Sequence, residues 1–181
     1  PMYQPVACNE IAAYAKSKGY NIWVYTGFTF EELMKMSKTM PIYKELWTGG
    51  KCMYKLEPVM AENSKLIIYA PHIDHISVTH GAVLEEIGYH IRDYFLENWD
   101  RYKDYPWGIL AHSTHVKGMG VYKDCVERPN TEVILATSIA KETCERINLG
   151  YMDYRDINPL DYANREDEGV LYVPDAGEIL Y

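Results

Sequence analysis

Apolar and polar positions along this chain switch between two periods. In CNEIAAYAKSKG, Ile11, Ala12 and Ala15 recur at helical spacing and the run stops at Gly19, which predicts a helix. YNIWVYTG is short, dense and apolar, as a buried strand is. TFEELMKMSKTM opens on Thr29 with Glu32 three residues later, a capping box that predicts a second helix. Residues 9–40 therefore read as helix, strand, helix, half of an α/β unit. Pro41 and Gly49-Gly50 interrupt the pattern and mark a junction.

Beyond the junction, KLIIYAP (65–71) predicts a buried strand. GAVLEEIGYHIRDYFLENWDRY predicts one long helix, with Val83, Leu84, Ile87, Ile91, Tyr94 and Phe95 at spacings of three and four. WGILAHST predicts a strand with its turn, and TEVILATSI another strand. AKETCERIN predicts a helix stopped by LGY, and GVLYVPDAG a last strand. Strands alternating with helices predict an α/β fold, a mainly parallel sheet flanked by helices, with the N-terminal helix–strand–helix fragment attached. Ligands of such sheets bind beyond the carboxyl ends of the strands. The polar turns APHIDH, AHSTH, ATSIAKE and PDAGE are all expected at that edge.

Composition narrows the function classes. The chain has 181 residues, 48% of them hydrophobic, and a formal charge of -8. That size allows a substantial core. Nucleic acid and anionic membrane surfaces call for a basic face, so neither is expected as a partner. No apolar run approaches the roughly 20 residues of a membrane span, and no export signal is visible. Cys8, Cys52, Cys125 and Cys144 lie far apart and form no CxxC, which argues for reduced thiols and against a zinc ribbon. The chain starts at Pro1 and stops after GEILY, and it reads as a fragment.

Five of the six histidines fall in two short clusters, His72, His75 and His80, then His112 and His115. Spacing of three puts two imidazoles on one helix face. The zinc signature HExxH is absent, although Asp74 adds a carboxylate to the first cluster. The other reading is of turn histidines bonded to backbone or to a substrate carboxylate. Gly49-Gly50 followed by Lys51 and Lys55 lets backbone and ammonium approach an anion, or forms a surface loop with two solvated lysines. Trp107 reads as a core anchor. No GxSxG elbow and no GxGxxG turn is present.

From residue 47 onward the chain resembles the C-terminal domain of the nickel-dependent lactate racemase family, over about three quarters of its length. The residues that carry this are GGKCMYKLEPV, SKLIIYAP, DYPWGIL, EVILATSI and GVLYVPDAGEIL. The resemblance implies the substrate-contacting part of a 2-hydroxyacid racemase or epimerase. It implies a nickel-pincer nucleotide held by a separate N-terminal domain, whose DHTRP-type and HFFAG-type motifs do not occur here. No cofactor is then expected on this chain alone. The family's QxxK run places Lys55 and Trp107 at the substrate, with Cys52 where the family has glutamine, a departure that puts lactate itself in question. His72, His75, His112 and His115 would line the cleft edge and meet the substrate or the missing domain. Residues 1–46 instead resemble part of a radical-SAM activating enzyme of anaerobic ribonucleotide reductase, without the CxxxCxxC cluster motif. Both families imply cytoplasmic, anaerobic metabolism.

The chain is thus expected to join two unrelated pieces, 1–46 and 47–181. The first would lack partner strands unless it docks on the second sheet's edge. The alternatives are a stand-alone metal-binding or hydrolase module built on His72, His75, His112 and His115, a radical-SAM fragment, and a fragment with no activity of its own.

Overall fold

A computed structural model describes Gly19, the strand at residues 22–26 and residues 45–174. Five parallel strands form one sheet in the order β6-β5-β2-β1-β7. They are β1 (Ile22–Thr26), β2 (Ser64–Ala70), β5 (Thr131–Thr137), β6 (Gly150–Tyr151) and β7 (Val170–Val173). The α/β architecture expected from the alternating pattern is present. The helices expected over 9–19 and 29–40 lie outside the described residues, except Gly19, which is left-handed at φ 63 as a helix-ending glycine would be.

β2 and β5 form the centre of the core because their apolar runs serve both faces. Leu66, Ile68, Val133 and Leu135 point to the large helical side. Ile67, Ile134 and Ala136 point to the other, where Tyr69, Met152, Tyr154, Ile157, Tyr162 and Tyr172 cover them. That second layer comes from short 3-10 turns at Tyr154–Asp156 and Pro159–Tyr162 and from the strands themselves.

β1 lies between β2 and β7, in register with both from Ile22 onward. The expectation that the first segment lacks partner strands, or meets only an edge, is therefore corrected. Backbone ladders on both sides hold β1 inside the sheet.

Three local expectations also differ. The long helix is broken into α3 (Gly81–Ile87), α4 (Arg92–Glu97) and α5 (Trp99–Tyr102). Gly88 adopts φ 70 and ψ -178, which side-chain-bearing residues avoid, and the Tyr89 N–H then leaves the helix for Ile147 O at 2.8 Å. Residues 107–117 form a helix, α6 (Trp107–Lys117), and not a strand. It starts after Pro106 and ends at Gly118, φ 84. Its buried positions Ile109, His112, Ser113 and Val116 follow helical spacing.

The third is a hairpin with no counterpart among the expected elements, β3 (Gly120–Lys123) and β4 (Val126–Pro129). Asp124 and Cys125, at φ 55 and 58, make its two-residue turn. Gly120 fits because a Cβ there would lie 2.4 Å from Arg128 O and 2.7 Å from Pro129 Cα. Those are backbone atoms that cannot rotate away. Gly120→Ala is expected to cost on the order of 2 kcal/mol by urea titration; an unchanged midpoint would show that the hairpin yields freely.

The two short helices that begin the site complete the set, α1 (Leu46–Gly49) and α2 (Cys52–Leu56), with α7 (Lys141–Arg146) between β5 and β6. Among the described residues no helix is long and apolar enough to cross a membrane.

Candidate functional site

α1 is built onto the loop that leaves the carboxyl end of β2. The Leu46 N–H donates to His75 O at 3.0 Å and the Trp47 N–H to Ile76 O at 2.9 Å. Glu45 Oε1 accepts the Val78 N–H at 3.1 Å. These bonds set Trp47 beside the first histidine cluster, and the Gly50 turn brings α2 round onto α6.

Trp47 is where the two histidine clusters meet. His112 stacks on its ring at 3.8 Å and His80 lies against it at 4.4 Å. Tyr54 of α2 reaches between His112 and His115, its ring 4.8 Å from that of His115. Its hydroxyl is 2.6 Å from His112 Nδ1, and the buried Tyr89 hydroxyl is 3.5 Å from His112 Nε2. Thus four segments distant in sequence supply one ring cluster.

The electrostatics are one-sided. Burial, with His112 only 3% exposed, pushes its imidazole down to about 3. Lys51, His115 and His80 add to the shift, and among the described residues no carboxylate acts against it. His112 is therefore neutral at working pH. The Lys51 ammonium sits 5.9 Å from the Trp47 ring centroid, and Lys55 is exposed on the same short helix as Tyr54. Tyr54 is held up to about 12 by burial and stays a phenol.

The expected site residues separate into groups. His112 and His115 meet the Tyr54 ring, and Lys55 is the exposed residue that follows it on α2. His75 is a tie between loop and helix, with Nδ1 2.5 Å from Asp74 Oδ1 and Nε2 3.6 Å from Glu45 Oε1. His72, half-buried, leaves the carboxyl end of β2. Cys52 is in the hydrophobic core, where burial raises its thiol far above the ordinary range. Trp107 is 70% exposed, not a core anchor, and its indole N–H donates to Lys103 O. Five residues along α6 place it ~140° round the helix from His112, so the two face different ways.

His112 and His115 lie on α6, not in a turn after a strand, which corrects the expectation that AHSTH joins the carboxyl edge. The turns after β2 and β5 do leave that edge. PDAGE begins at Pro174 and runs outside the described residues.

Trp47, Tyr54 and Tyr89 carry no motif and were not expected. Tyr54 was the most accessible to inference, since it stands beside Lys55 in GGKCMYK. The sixth histidine, His90, belongs to a separate network. Its Nδ1 is 2.8 Å from Glu127 Oε2, and Glu127 also accepts the Ile91 N–H and the Asn148 amide. Burial alone would raise that carboxyl, but the bonds from His90 and Ile91 hold it below the ordinary value. This network pins the hairpin to the break between α3 and α4.

Among the described residues no three His, Cys, Asp or Glu side chains gather as a metal ion needs. His112 is also a poor ligand, because both ring nitrogens face tyrosine hydroxyls.

No family model matches the chain, and none of the curated proteins matches it. The chain is similar to a protein from Thermotoga maritima whose crystal structure was determined by a structural genomics consortium, with 33% identity and a TM-score of 0.73. The match covers 90% of this chain, so it extends into the first 46 residues, because residues 47–181 make up only about three quarters of the length. It covers 36% of the Thermotoga chain, so the present chain spans about a third of that relative's length.

Proposed function

We propose that this chain is the substrate-facing part of a 2-hydroxyacid racemase or epimerase, working with a further unit that carries a nickel-pincer nucleotide. The observation that carries this is the cluster of Lys51, His80 and His115 around His112. In a chain of net charge -8, Lys51, His80 and His115 all act to push the His112 imidazole down, and among the described residues no carboxylate counters them. Lys55 is exposed on α2, one residue after Tyr54. Such a cluster suits a small carboxylate, which ammonium groups hold by charge-assisted hydrogen bonds. The resemblance of GGKCMYK to the family's substrate run supports the same class, and the long Thermotoga relative is consistent with a further unit.

The described residues do not fit the nickel group itself, since no ligand set for a metal is assembled among them. Its chemistry, reversible hydride acceptance from carbon, belongs to the other unit. This chain's contribution is to bind and orient the acid. Its soluble or compartmental setting follows the same proposal, a cytoplasmic enzyme.

The test is chiral chromatography of a single lactate or other 2-hydroxyacid enantiomer, with this chain and a cofactor-loaded N-terminal unit supplied together. Racemisation is expected to require both. Lys55→Ala is expected to lower kcat/KM by about tenfold or more, as loss of a charged hydrogen bond does. Full activity in Lys55→Ala would remove the proposed carboxylate contact.

A further inference from the structure

Resting on the carboxylate proposal above, we propose that Tyr54 is the hydroxyl that meets the bound anion, and that Tyr89 and His112 are positioning residues that turn its proton outward.

The buried end of the chain of bonds decides the direction. Tyr89 is fully buried, and among the described residues its hydroxyl has His112 Nε2, at 3.5 Å, as its partner. A buried O–H with no acceptor costs more than a spare lone pair, so Tyr89 donates and Nε2 accepts. A neutral imidazole carries one N–H, which is therefore on Nδ1. Nδ1 donates to the Tyr54 oxygen at 2.6 Å. Tyr54 is an acceptor at that contact and keeps its own proton for a partner on the other side.

Tyr54 is only half-buried, its ring meets exposed His115, and Lys51 and Lys55 lie in the same short segment of chain, residues 50–56. Trp47 stacked on His112 holds the imidazole in plane, which keeps the two bonds aligned. The lysines provide charge on flexible stems, while the phenol provides a fixed direction. The opposite tautomer would have Tyr54 donating inward and offering the anion nothing. The ligand class is a small carboxylate or hydroxy acid, whose oxygens accept from the phenol.

Two measurements on the full chain test this. Imidazole nitrogen NMR is expected to show His112 neutral with its proton on Nδ1, and Tyr89→Phe is expected to abolish that preference. A purely structural His112 would not change tautomer. Titration with lactate, followed by tryptophan fluorescence, is expected to weaken about tenfold in Tyr54→Phe, as for a lost hydrogen bond to a charged group. A proton on Nε2, a charged His112 at pH 7, or lactate affinity unchanged in Tyr54→Phe would each overturn the proposal. If only inorganic phosphate binds and Tyr54→Phe weakens it, the donor role stands and the 2-hydroxyacid reading fails. Binding of none of lactate, larger 2-hydroxyacids and phosphate overturns both.

Discussion

Acidification from pH 7 to pH 4 is expected to cost this protein about 3 kcal/mol through His112 alone. The imidazole is held down to about 3 in the fold, against about 6.5 in an unfolded chain. The group is neutral in the fold and gains a proton on unfolding. Its contribution is therefore fully present above the unfolded value and is lost as pH falls from about 6.5 toward 3. Glu127 acts in the same direction at lower pH, since its depressed carboxyl stabilises only while ionised. Urea titrations at pH 7 and pH 4 measure the sum. His112→Gln, which keeps a neutral polar side chain, is expected to have a lower midpoint at pH 7 and a clearly smaller drop on acidification. An equal drop in both proteins would show that the acid lability lies elsewhere.

Leu135→Ala is expected to lower stability by about 3–4 kcal/mol, a large part of the roughly 5–15 kcal/mol available to a domain. Leu135 and Ile68 are both fully buried and stand opposite one another in the β2–β5 ladder. Both strands are buried on two faces, so the cavity has no loop that can collapse into it. Ile68→Ala should cost a similar amount. Because the two side chains share one cavity, the double variant should lose less than the sum. Denaturant midpoints check each value, and strict additivity would mean that the two sites relax independently.

Much of the fold was legible along the chain. β2 and β5 announce themselves because a strand covered on both faces has few polar interruptions, and SKLIIYA and TEVILAT have few. α7 is readable between its flanking turns. α6 was hidden for a specific reason. Three of its six buried positions are His112, Ser113 and Lys117, so the apolar signal reduces to Ile109, Leu110 and Val116. WGIL alone then looks like a strand. The break at Gly88 was hidden as well, because the apolar spacing stays in phase across it. The bond from Tyr89 to Ile147, nearly sixty residues away, completes the departure that Gly88 permits.

The chain by itself determined the α/β class, the central strands, the two histidine clusters and the acidic balance, because these depend on local period and composition. Tertiary structure alone decided that β1 joins the sheet's interior, that His80 and His112 share one tryptophan, and that His75 and Trp107 stand apart from that cluster. Those outcomes depend on which strand ends and helix faces are brought together, and no local spacing encodes the distance between Trp47, Tyr89 and His112. The same packing turned His112 from a candidate ligand into a neutral, tyrosine-bonded imidazole, because burial disfavours the protonated ring.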